Sequence, residues 1–447
     1  MVAVISLDHY LRSFPLSKPA HLVSLMQSPG SHRSSALSRA ALVAVIVSGV
    51  FLRLPASLFF GSSAPLGWLH ALHPAPGFTG VGYDEALYRG YVNEIVRSGL
   101  IAYPDYAEGY VKLQQELPAA ILPPTRFTYI FVAYLWHQVS GAEALAALHH
   151  VSCLFSVLLL LAASAFAIRL GGWKIGLSVA ALMSCSPLQI HMSQHALIDG
   201  VFAFWAMLCL WLLWENLRRP NYAPWLMLYA LSLAVLVLTK ENAMFAYLGL
   251  LAVLAANRWL RFGKITPALL GLTVIGPLLG VVILVFLCGS LETFIATYRL
   301  LVAKASVLPF AIATGDGPWY RYLVDLLLIS PLILLLAVGA VFKLRLTDKA
   351  PLYLLAFVAG TYVVMCNVRY GMNLRYATIW DMPLRYLAVL GVVDVARSFS
   401  QRRTLFIVVA IALLCVFDLR QYYIFFVQHD LYELVTGGLL HALRILK

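Results

Sequence analysis

The sequence predicts an all-helical protein that crosses a membrane many times. Hydrophobic residues make up 62% of the 447 residues and charged residues 12%. In soluble domains charged residues are about a quarter of the chain. Apolar stretches of roughly 20 residues recur along the sequence, and each is long enough to cross the hydrocarbon core of a bilayer as a helix. These observations exclude a single soluble domain.

Eleven apolar stretches are candidate membrane spans, and a twelfth, residues 127–139, is ambiguous. Short clusters of Lys and Arg decide between the topologies, because basic residues are retained on the cytoplasmic side. If residues 127–139 do not cross, the clusters from Arg169 to Arg403 all fall on one side. We therefore predict about 11 crossings, a cytoplasmic N-terminus, an outer C-terminus, and a short embedded helix or re-entrant piece at 127–139. The eleven candidate spans are residues 36–60, 145–168, 174–190, 197–214, 223–238, 243–256, 266–288, 322–342, 352–366, 379–395 and 404–424.

This topology divides the chain into three parts. Residues 1–35 lack an apolar core, so we predict a flexible cytoplasmic tail. Residues 36–424 form the membrane domain, with two sizeable outer segments at 61–141 and 289–320. Residues 425–447 mix apolar and polar side chains, which is typical of an interfacial helix. The net charge of +12 is explained by retention at the membrane, and no contiguous basic face indicates nucleic-acid binding.

An acidic pair, Asp84 and Glu85, opens an amphipathic stretch in the first outer segment. Tyr88, Tyr91 and Ile95 follow the pair at helical spacing, which predicts a helix along the outer membrane surface. Asp84 could simply cap this helix, with Glu85 interacting with the helix dipole. Alternatively, the two carboxylates serve chemistry on the outer face.

Basic residues occur at the same outer boundary. Arg126 follows two prolines, where it could bind a lipid phosphate or extend to the headgroups. Lys240 and Glu241 interrupt two apolar spans, so they could pair with each other, or Lys240 could contact a phosphate. Arg375 and Tyr376 precede the penultimate span.

A third feature is the series His191, His195 and Asp199 at an outer boundary. On one continuous helix the three residues would share a face, as a metal site requires. Pro187 and a helix break before Leu197 weaken that geometry. Asp199 alone is the stronger candidate, because an ionisable group at the start of a span usually has a function or a partner.

Outer acids beside outer cations are suited to a transferase that uses a lipid-phosphate donor. Carboxylates deprotonate an acceptor, and fixed cations hold the departing phosphate. Two alternatives remain: a flippase or transporter of lipid-linked saccharides, and a polymerase or ligase of surface glycans with a diphosphate-linked donor. A transporter would more naturally bury its charges near the bilayer midplane.

The motifs in their order resemble the GT-C superfamily of glycosyltransferases, specifically protein O-mannosyltransferases and bacterial aminoarabinose lipid A transferases. The resemblance covers most of residues 36–395. Its motifs are Tyr83-Asp84-Glu85-Ala86-Leu87-Tyr88, Pro123-Pro124-Thr125-Arg126-Phe127-Thr128-Tyr129, Ser186-Pro187 leading to Ala196-Leu197-Ile198-Asp199, the Lys240 turn, and Arg375-Tyr376 before Pro383.

The resemblance implies an inverting membrane enzyme with a polyprenyl-phosphate-linked sugar as donor and its site on the non-cytoplasmic side. It implies that Asp84 is the base that activates the acceptor and that Glu85 positions acceptor or sugar. Arg126 matches the cation beside the donor phosphate, and Asp199 matches a second outer acid. Further donor-binding candidates within the motifs are Lys240, Arg375, Tyr88 and Tyr376.

The resemblance leaves the acceptor and the metal undetermined. The acceptor is a protein, a lipid or a glycan. Branches of the superfamily differ in metal use, so a divalent ion is possible, with His191, His195 and Asp199 as candidate ligands. No other cofactor is implied, and the predicted location is the inner membrane of a bacterium.

Overall fold

The protein is an assembly of helices. The structure, a computed structural model, describes residues 32–62, 64–75, 78, 80–118, 120–305, 307, 317–368, 372–399 and 402–446. The predicted tail up to residue 31 and residues 308–316 of the second outer segment lie outside the described residues. The α-helices in the described part are α1 (His32–Arg53), α2 (Tyr83–Ser98), α3 (Tyr103–Glu116), α4 (Phe127–Ser140), α5 (Ala144–Ser184), α6 (Pro187–Gln194), α7 (Asp199–Arg218), α8 (Ala223–Thr239), α9 (Ala243–Leu260), α10 (Pro267–Leu287), α11 (Leu291–Ala305), α12 (Arg321–Ile329), α13 (Pro331–Val341), α14 (Lys349–Met365), α15 (Asp381–Val395), α16 (Arg403–Tyr422) and α17 (Thr436–Ala442).

The all-helical, multi-pass membrane fold predicted from the sequence is confirmed. Five helices of the described chain are long and apolar enough to cross a membrane: α5, α7, α9, α10, and α16 with the π-helical turn that continues it to Gln428. The shorter apolar helices are α8, α13 and α14. The number of crossings stays a prediction.

The first helix is shorter than its apolar stretch. The predicted span 36–60 is α-helical only to Arg53, because Pro55 cannot donate to a continuing helix, and a short 3-10 helix, Ala56–Leu58, follows. The buried Arg53 guanidinium donates to the carbonyls of Gly49, Ser184 and Met183 at 2.9, 3.0 and 2.7 Å. Arg53 thus ends α1 and also satisfies carbonyl groups at the end of α5.

Two predicted spans, 145–168 and 174–190, are joined in α5. The helix is interrupted at Gly172, which has φ +80° and ψ 178°. A side chain would be strained at this φ, so glycine permits the sharp change of direction between the two halves. The second half ends at Ser184, and the short helix α6 replaces the remainder of the predicted span.

The ambiguous stretch forms α4, a helix of 14 residues. At a rise of 1.5 Å per residue its length is roughly 21 Å, which is less than the roughly 30 Å hydrocarbon core. Helix α4 packs against α2, α5 and α8. Its short length agrees with an embedded helix, and its relation to the membrane stays a prediction.

The loops that follow α7, α9 and α13 carry the basic clusters, and they lie at the end of the bundle opposite the acidic motif. The carbonyl of Leu217, near the end of α7, accepts a hydrogen bond from the amide of Lys264 at 2.9 Å. The side chain of Lys349 donates to the carbonyl of Leu260, at the end of α9, at 2.6 Å. Helices α7 and α9 therefore end together beside Lys and Arg residues, and they begin together at the opposite end, near the acidic motif.

The chain returns over that opposite end after α16. We call residues 429–435 the C-terminal strap. The amide of Leu374 donates to the carbonyl of Leu434 in the strap at 2.9 Å. Leu434 and, in α17, Leu439 are fully buried. The segment predicted as an interfacial tail thus packs in part against the bundle.

Candidate active site

The acidic pair lies in the first turn of α2, and both side chains are buried. Glu85, rather than Asp84, forms the helix cap: its Oε2 accepts a hydrogen bond from the amide of Gly82 at 2.8 Å. The cap interpretation therefore applies to Glu85, and Asp84 is left for other contacts.

Glu85 connects α2 to the segment between α6 and α7. Its Oε1 accepts a hydrogen bond from the amide of Ala196 at 2.7 Å and lies 3.3 Å from His195 Nδ1 and 3.4 Å from His149 Nε2. Burial acts to raise the pKa of Glu85, but the hydrogen bonds from His149 and His195 outweigh it and hold the pKa below its ordinary value. Ionised Glu85 therefore links the start of α2 to the segment between α6 and α7.

Asp84 belongs to a chain of alternating charges. Nη2 of Arg375 donates to Oδ2 of Asp84 at 2.8 Å, and Nε of Arg375 lies 3.8 Å from Oδ2 of Asp199. Lys240 Nζ donates to Oδ1 of Asp199 at 2.6 Å. All four side chains are buried, so the charges act across a medium with weaker screening than water. Four motifs distant in sequence therefore meet at one place.

The guanidinium of Arg375 has N–H groups that make no hydrogen bond to the described residues. Among the described residues its Nε and Nη1 have no hydrogen-bond partner, although both are buried. The carboxylates facing them lie at 3.8 Å (Asp199) and 3.5 Å (Glu433), which is beyond an ordinary N–H···O hydrogen bond. Buried N–H groups without partners are costly, and a phosphate oxygen would satisfy them.

Arg126 is already occupied by protein groups. Its Nε donates to Oε2 of Glu241 at 3.0 Å, its Nη2 donates to Oε1 of the same carboxylate, and its Nη1 donates to Tyr88 Oη at 2.5 Å. The alternative pairing of Lys240 with Glu241 is therefore wrong: Lys240 pairs with Asp199, while Glu241 pairs with Arg126.

Tyr376 forms an aromatic wall beside the cations. The Lys240 ammonium lies 4.5 Å from the centre of its ring, and the Arg375 guanidinium lies 5.7 Å from it. A ring face stabilises both cations without neutralising them. Tyr376 thus contacts Lys240 and Arg375 through its ring, whereas Tyr88 accepts a hydrogen bond from Arg126.

The three candidate metal ligands do not converge. Helix α6 ends at Gln194 and His195 is extended, so Asp199 begins a new helix. His191 Nε2 lies 3.0 Å from the carbonyl oxygen of Tyr432, while His195 faces Glu85 and Asp199 binds Lys240. In the described part of the chain no group of three or more His, Cys, Asp or Glu residues is arranged to hold a metal. These residues therefore do not fit a divalent ion, because Asp199 is already paired with Lys240 and His195 faces Glu85.

Sequence reasoning missed the contribution of the strap. Glu433 Oε1 lies 3.5 Å from Nη1 of Arg375, and Oε2 of Glu433 accepts a hydrogen bond from Nδ2 of Asn373. Glu433 lies 58 positions beyond Arg375 in a segment with no charge pattern, so only the fold reveals it. His149, near the start of α5, was missed because no pattern in the sequence connects it with Glu85, and only the fold brings the two side chains together.

The comparisons with known proteins agree with this architecture. Residues 133–298, from α4 to α11, match the family model described as dolichyl-phosphate-mannose-protein mannosyltransferase. The match includes Asp199 and Lys240 but not Asp84, Arg126 or Arg375. No curated protein sequence matches the chain significantly.

Two solved structures have the same fold. The apo oligosaccharyltransferase of Archaeoglobus fulgidus superposes with a TM-score of 0.57 and 13% identity over 88% of this chain. This chain spans 56% of the archaeal protein. Apo ArnT of Cupriavidus metallidurans gives a TM-score of 0.50 and 15% identity, covering 92% of this chain and 76% of ArnT. The resemblance predicted from the ordered motifs is confirmed at the level of the fold: this chain has the fold of these two membrane glycosyltransferases, and residues 133–298 resemble the mannosyltransferase family.

Proposed function

We propose that the protein is a glycosyltransferase that transfers a sugar from a polyprenyl-phosphate-linked donor to an acceptor on the non-cytoplasmic face, with inversion at the anomeric carbon. One observation carries the proposal. The buried carboxylate of Asp84 lies 2.8 Å from Arg375, a guanidinium whose two remaining buried donor positions lack hydrogen bonds within the described residues. A base and an anion site are thus adjacent, as the reaction requires.

Arg375 and Lys240 are the proposed ligands of the donor phosphate. Arg375 offers Nε and Nη1, and Lys240 lies on the other side of Asp199. The lipid class is supported by the oligosaccharyltransferase of Archaeoglobus fulgidus, whose structure in complex with an inhibitory peptide and a dolichol-phosphate superposes with a TM-score of 0.52. The family-model match, described by dolichyl-phosphate-mannose, points to the same donor class.

The remaining residues of the site have supporting roles. Arg126 holds Glu241 and Tyr88, so we assign it to positioning the Lys240 turn against α2 rather than to the phosphate. Glu85 fixes the start of α2 on the segment after α6, which orients Asp84. Tyr376 positions the two phosphate ligands, Lys240 and Arg375.

The proposed chemistry is a direct displacement. The acceptor oxygen forms a bond to the anomeric carbon while the bond from that carbon to the phosphate oxygen breaks, and the phosphate leaves with the electron pair. Asp84 takes the acceptor proton; Arg375 binds its Oδ2, and the base needs only Oδ1. Arg375 and Lys240 stabilise the charge that develops on the phosphate, so no general acid is needed.

No metal step is part of this proposal. A crystal of the Archaeoglobus fulgidus oligosaccharyltransferase contains Zn and sulfate, but the carboxylates of this site are matched with Arg and Lys side chains. We therefore derive the reaction from the protein's own residues alone.

The orientation follows from the charge distribution. The site lies at the beginnings of α7 and α9, and the basic clusters lie beyond their ends. Because basic loops are retained in the cytoplasm, the site faces the other side. We propose the inner membrane of a bacterium as the location.

The test is a reconstituted assay that measures transfer and transport together. Purified full-length protein in vesicles is given radiolabelled polyprenyl phosphomannose, and both transfer to acceptors in a membrane extract and movement of the lipid across the bilayer are followed. We expect transfer, and its loss in Arg375→Met but not in the surface control Asp105→Asn. Transport without transfer would contradict the proposal in favour of a flippase.

A further inference from the structure

The C-terminal strap lies directly against the start of α2, the helix that carries Asp84 and Glu85. The Tyr432 ring packs on Gly82, where a Cβ atom would lie 2.2 Å from the ring carbon Cζ. Any side chain at position 82 would therefore displace the Tyr432 ring. The same ring contacts His195, with the two centres 5.2 Å apart. The strap thus reaches the residue that opens α2.

Glu433 is the most accessible carboxylate around Arg375. Its side chain is 31% exposed, whereas Asp84 and Asp199 are 11% and 1% exposed. Glu433 belongs to a short non-helical segment, whereas Asp84 and Asp199 lie in the first turns of α2 and α7. Glu433 is therefore the carboxylate that can leave Arg375 with the least rearrangement.

The charges of the site are unfavourable for an additional anion. Apart from the Arg126–Glu241 pair, the connected cluster contains three acids and two cations, which are Asp84, Asp199, Glu433, Lys240 and Arg375. A phosphate that binds Arg375 would approach this excess of carboxylates. Its binding is favoured if one carboxylate withdraws or becomes protonated.

Glu433 is suited to that change. Burial raises its pKa, the positive charge of Arg375 opposes the shift, and the negative charges of Asp84 and Asp199 add to it, so that the pKa lies above the ordinary value. Asn373 donates to its Oε2. The other titratable groups packed on the strap are His191 and His195, through Tyr432.

We propose that Glu433 is a displaceable partner of Arg375: it holds the guanidinium in the empty enzyme and yields its place on Nη1 to the donor phosphate. This inference rests on the proposed function, because it assumes that Arg375 binds the donor. Glu433 is a positioning residue, since it acts through Arg375.

The sign of the pH dependence follows from this competition. Ionised Glu433 competes with the phosphate, and protonated Glu433 does not. A polyprenyl phosphomannose is a phosphodiester, whose single strongly acidic group stays ionised at both pH values of the experiment. A change in affinity therefore comes from the protein. Donor affinity is therefore expected to fall as the pH rises through the pKa of Glu433.

The experiment measures equilibrium binding of polyprenyl phosphomannose to the full-length protein in nanodiscs at pH 4.5, the ordinary pKa of a glutamate, and at pH 8. Wild type is expected to bind about fivefold more weakly at the higher pH, the factor that corresponds to one partly exposed ion pair. Glu433→Gln is expected to bind equally at both pH values and as tightly as wild type at pH 4.5. Glu433→Asp should restore the pH dependence, and the surface control Glu94→Gln should leave it unchanged.

Two kinds of failure are distinguishable. Wild-type binding that does not change with pH, or a Glu433→Gln protein that keeps the wild-type dependence or binds more weakly at both pH values, overturns the role of Glu433. Arg375→Met binding that equals wild type overturns the phosphate site itself and with it the proposed function. A wild-type affinity that does not change with pH contradicts the role of Glu433 without any variant, and the comparison with Glu433→Gln separates Glu433 from the histidines packed on the strap.

Discussion

Two clusters of buried charge in this protein look alike in composition and differ in how completely their hydrogen bonds are satisfied. The cluster around Arg375 is called the outer cluster, after the side of the membrane proposed for it. The inner cluster surrounds Arg385, which donates to Asp381 at 2.6 Å and to Asp418 at 2.5 Å. Both combine a buried arginine with two or more carboxylates, so burial and charge alone do not separate a site from a structural element.

The inner cluster is satisfied by its own members. Ser186 donates to Asp381 at 2.6 Å, and Ser330 donates to Asp418 at 3.1 Å. These bonds join α15 and α16 to the start of α6 and the break between α12 and α13. In the outer cluster, two donor groups of Arg375 are left without bonds among the described residues. The two clusters therefore differ in unmet hydrogen-bonding capacity, and the one around Arg375 is the one that still offers donors to an anion.

The largest expected effect comes from Asp84→Asn. The amide keeps the size of the side chain and can still accept a hydrogen bond from Arg375, but it cannot take the acceptor proton. We expect turnover in the transfer assay to fall about a thousandfold, within the range that a general base contributes, with donor binding nearly unchanged. Asp105→Asn, on the outer helix α3, is the matched control. Wild-type turnover in Asp84→Asn would remove this residue from the mechanism.

The second prediction compares the two arginines directly. Arg385→Met leaves Asp381 and Asp418 buried without their cation, so we expect the free energy of unfolding to fall by about 3–5 kcal/mol. Arg375→Met leaves carboxylates near the outer surface, where water reaches Glu433, and we expect a smaller loss of stability together with loss of donor binding. Denaturation of both proteins in detergent measures the difference. Equal destabilisation would make the outer cluster as structural as the inner one.

The sequence alone predicts the outer cluster better than the inner one. Asp199, Lys240 and Arg375 stand near the ends of apolar stretches, where hydropathy makes a charge conspicuous, and Asp84 opens an amphipathic stretch in the first outer segment. Topology then places them on one side. Arg385 and Asp418 lie within apolar stretches, and no spacing rule connects them across 33 positions.

The partners of each charge could not be predicted. Lys240 and Glu241 are neighbours in sequence but point to different partners, because the non-helical turn between α8 and α9 separates their side chains. The helix break at His195 likewise separates Asp199 from the two histidines. Backbone conformation at single residues decides such contacts, and the periodicity of a sequence averages over it.

The third prediction concerns Arg126, for which sequence and structure suggest different roles. Arg126→Lys cannot bind the carboxylate of Glu241 through two parallel hydrogen bonds. If Arg126 positions the Lys240 turn, kcat should fall about tenfold, because small displacements of catalytic groups are costly, and KM for the donor should change little. A rise in KM at unchanged kcat would instead support direct phosphate binding. Arg97→Lys, at the exposed end of α2, is the control.

The smallest effect on activity is expected from two surface cysteines that test the sidedness of both ends of the bundle. Ile101 is 92% exposed beside α3, and Leu346 is 73% exposed in the basic loop after α13. In a protein whose six native cysteines are replaced by alanine or serine, Ile101→Cys and Leu346→Cys should leave transfer almost unchanged. A membrane-impermeant maleimide added to intact cells should label position 101 only, and detergent should make position 346 reactive. Labelling of position 346 in intact cells would place the basic loops outside, and the candidate active site would then face the cytoplasm.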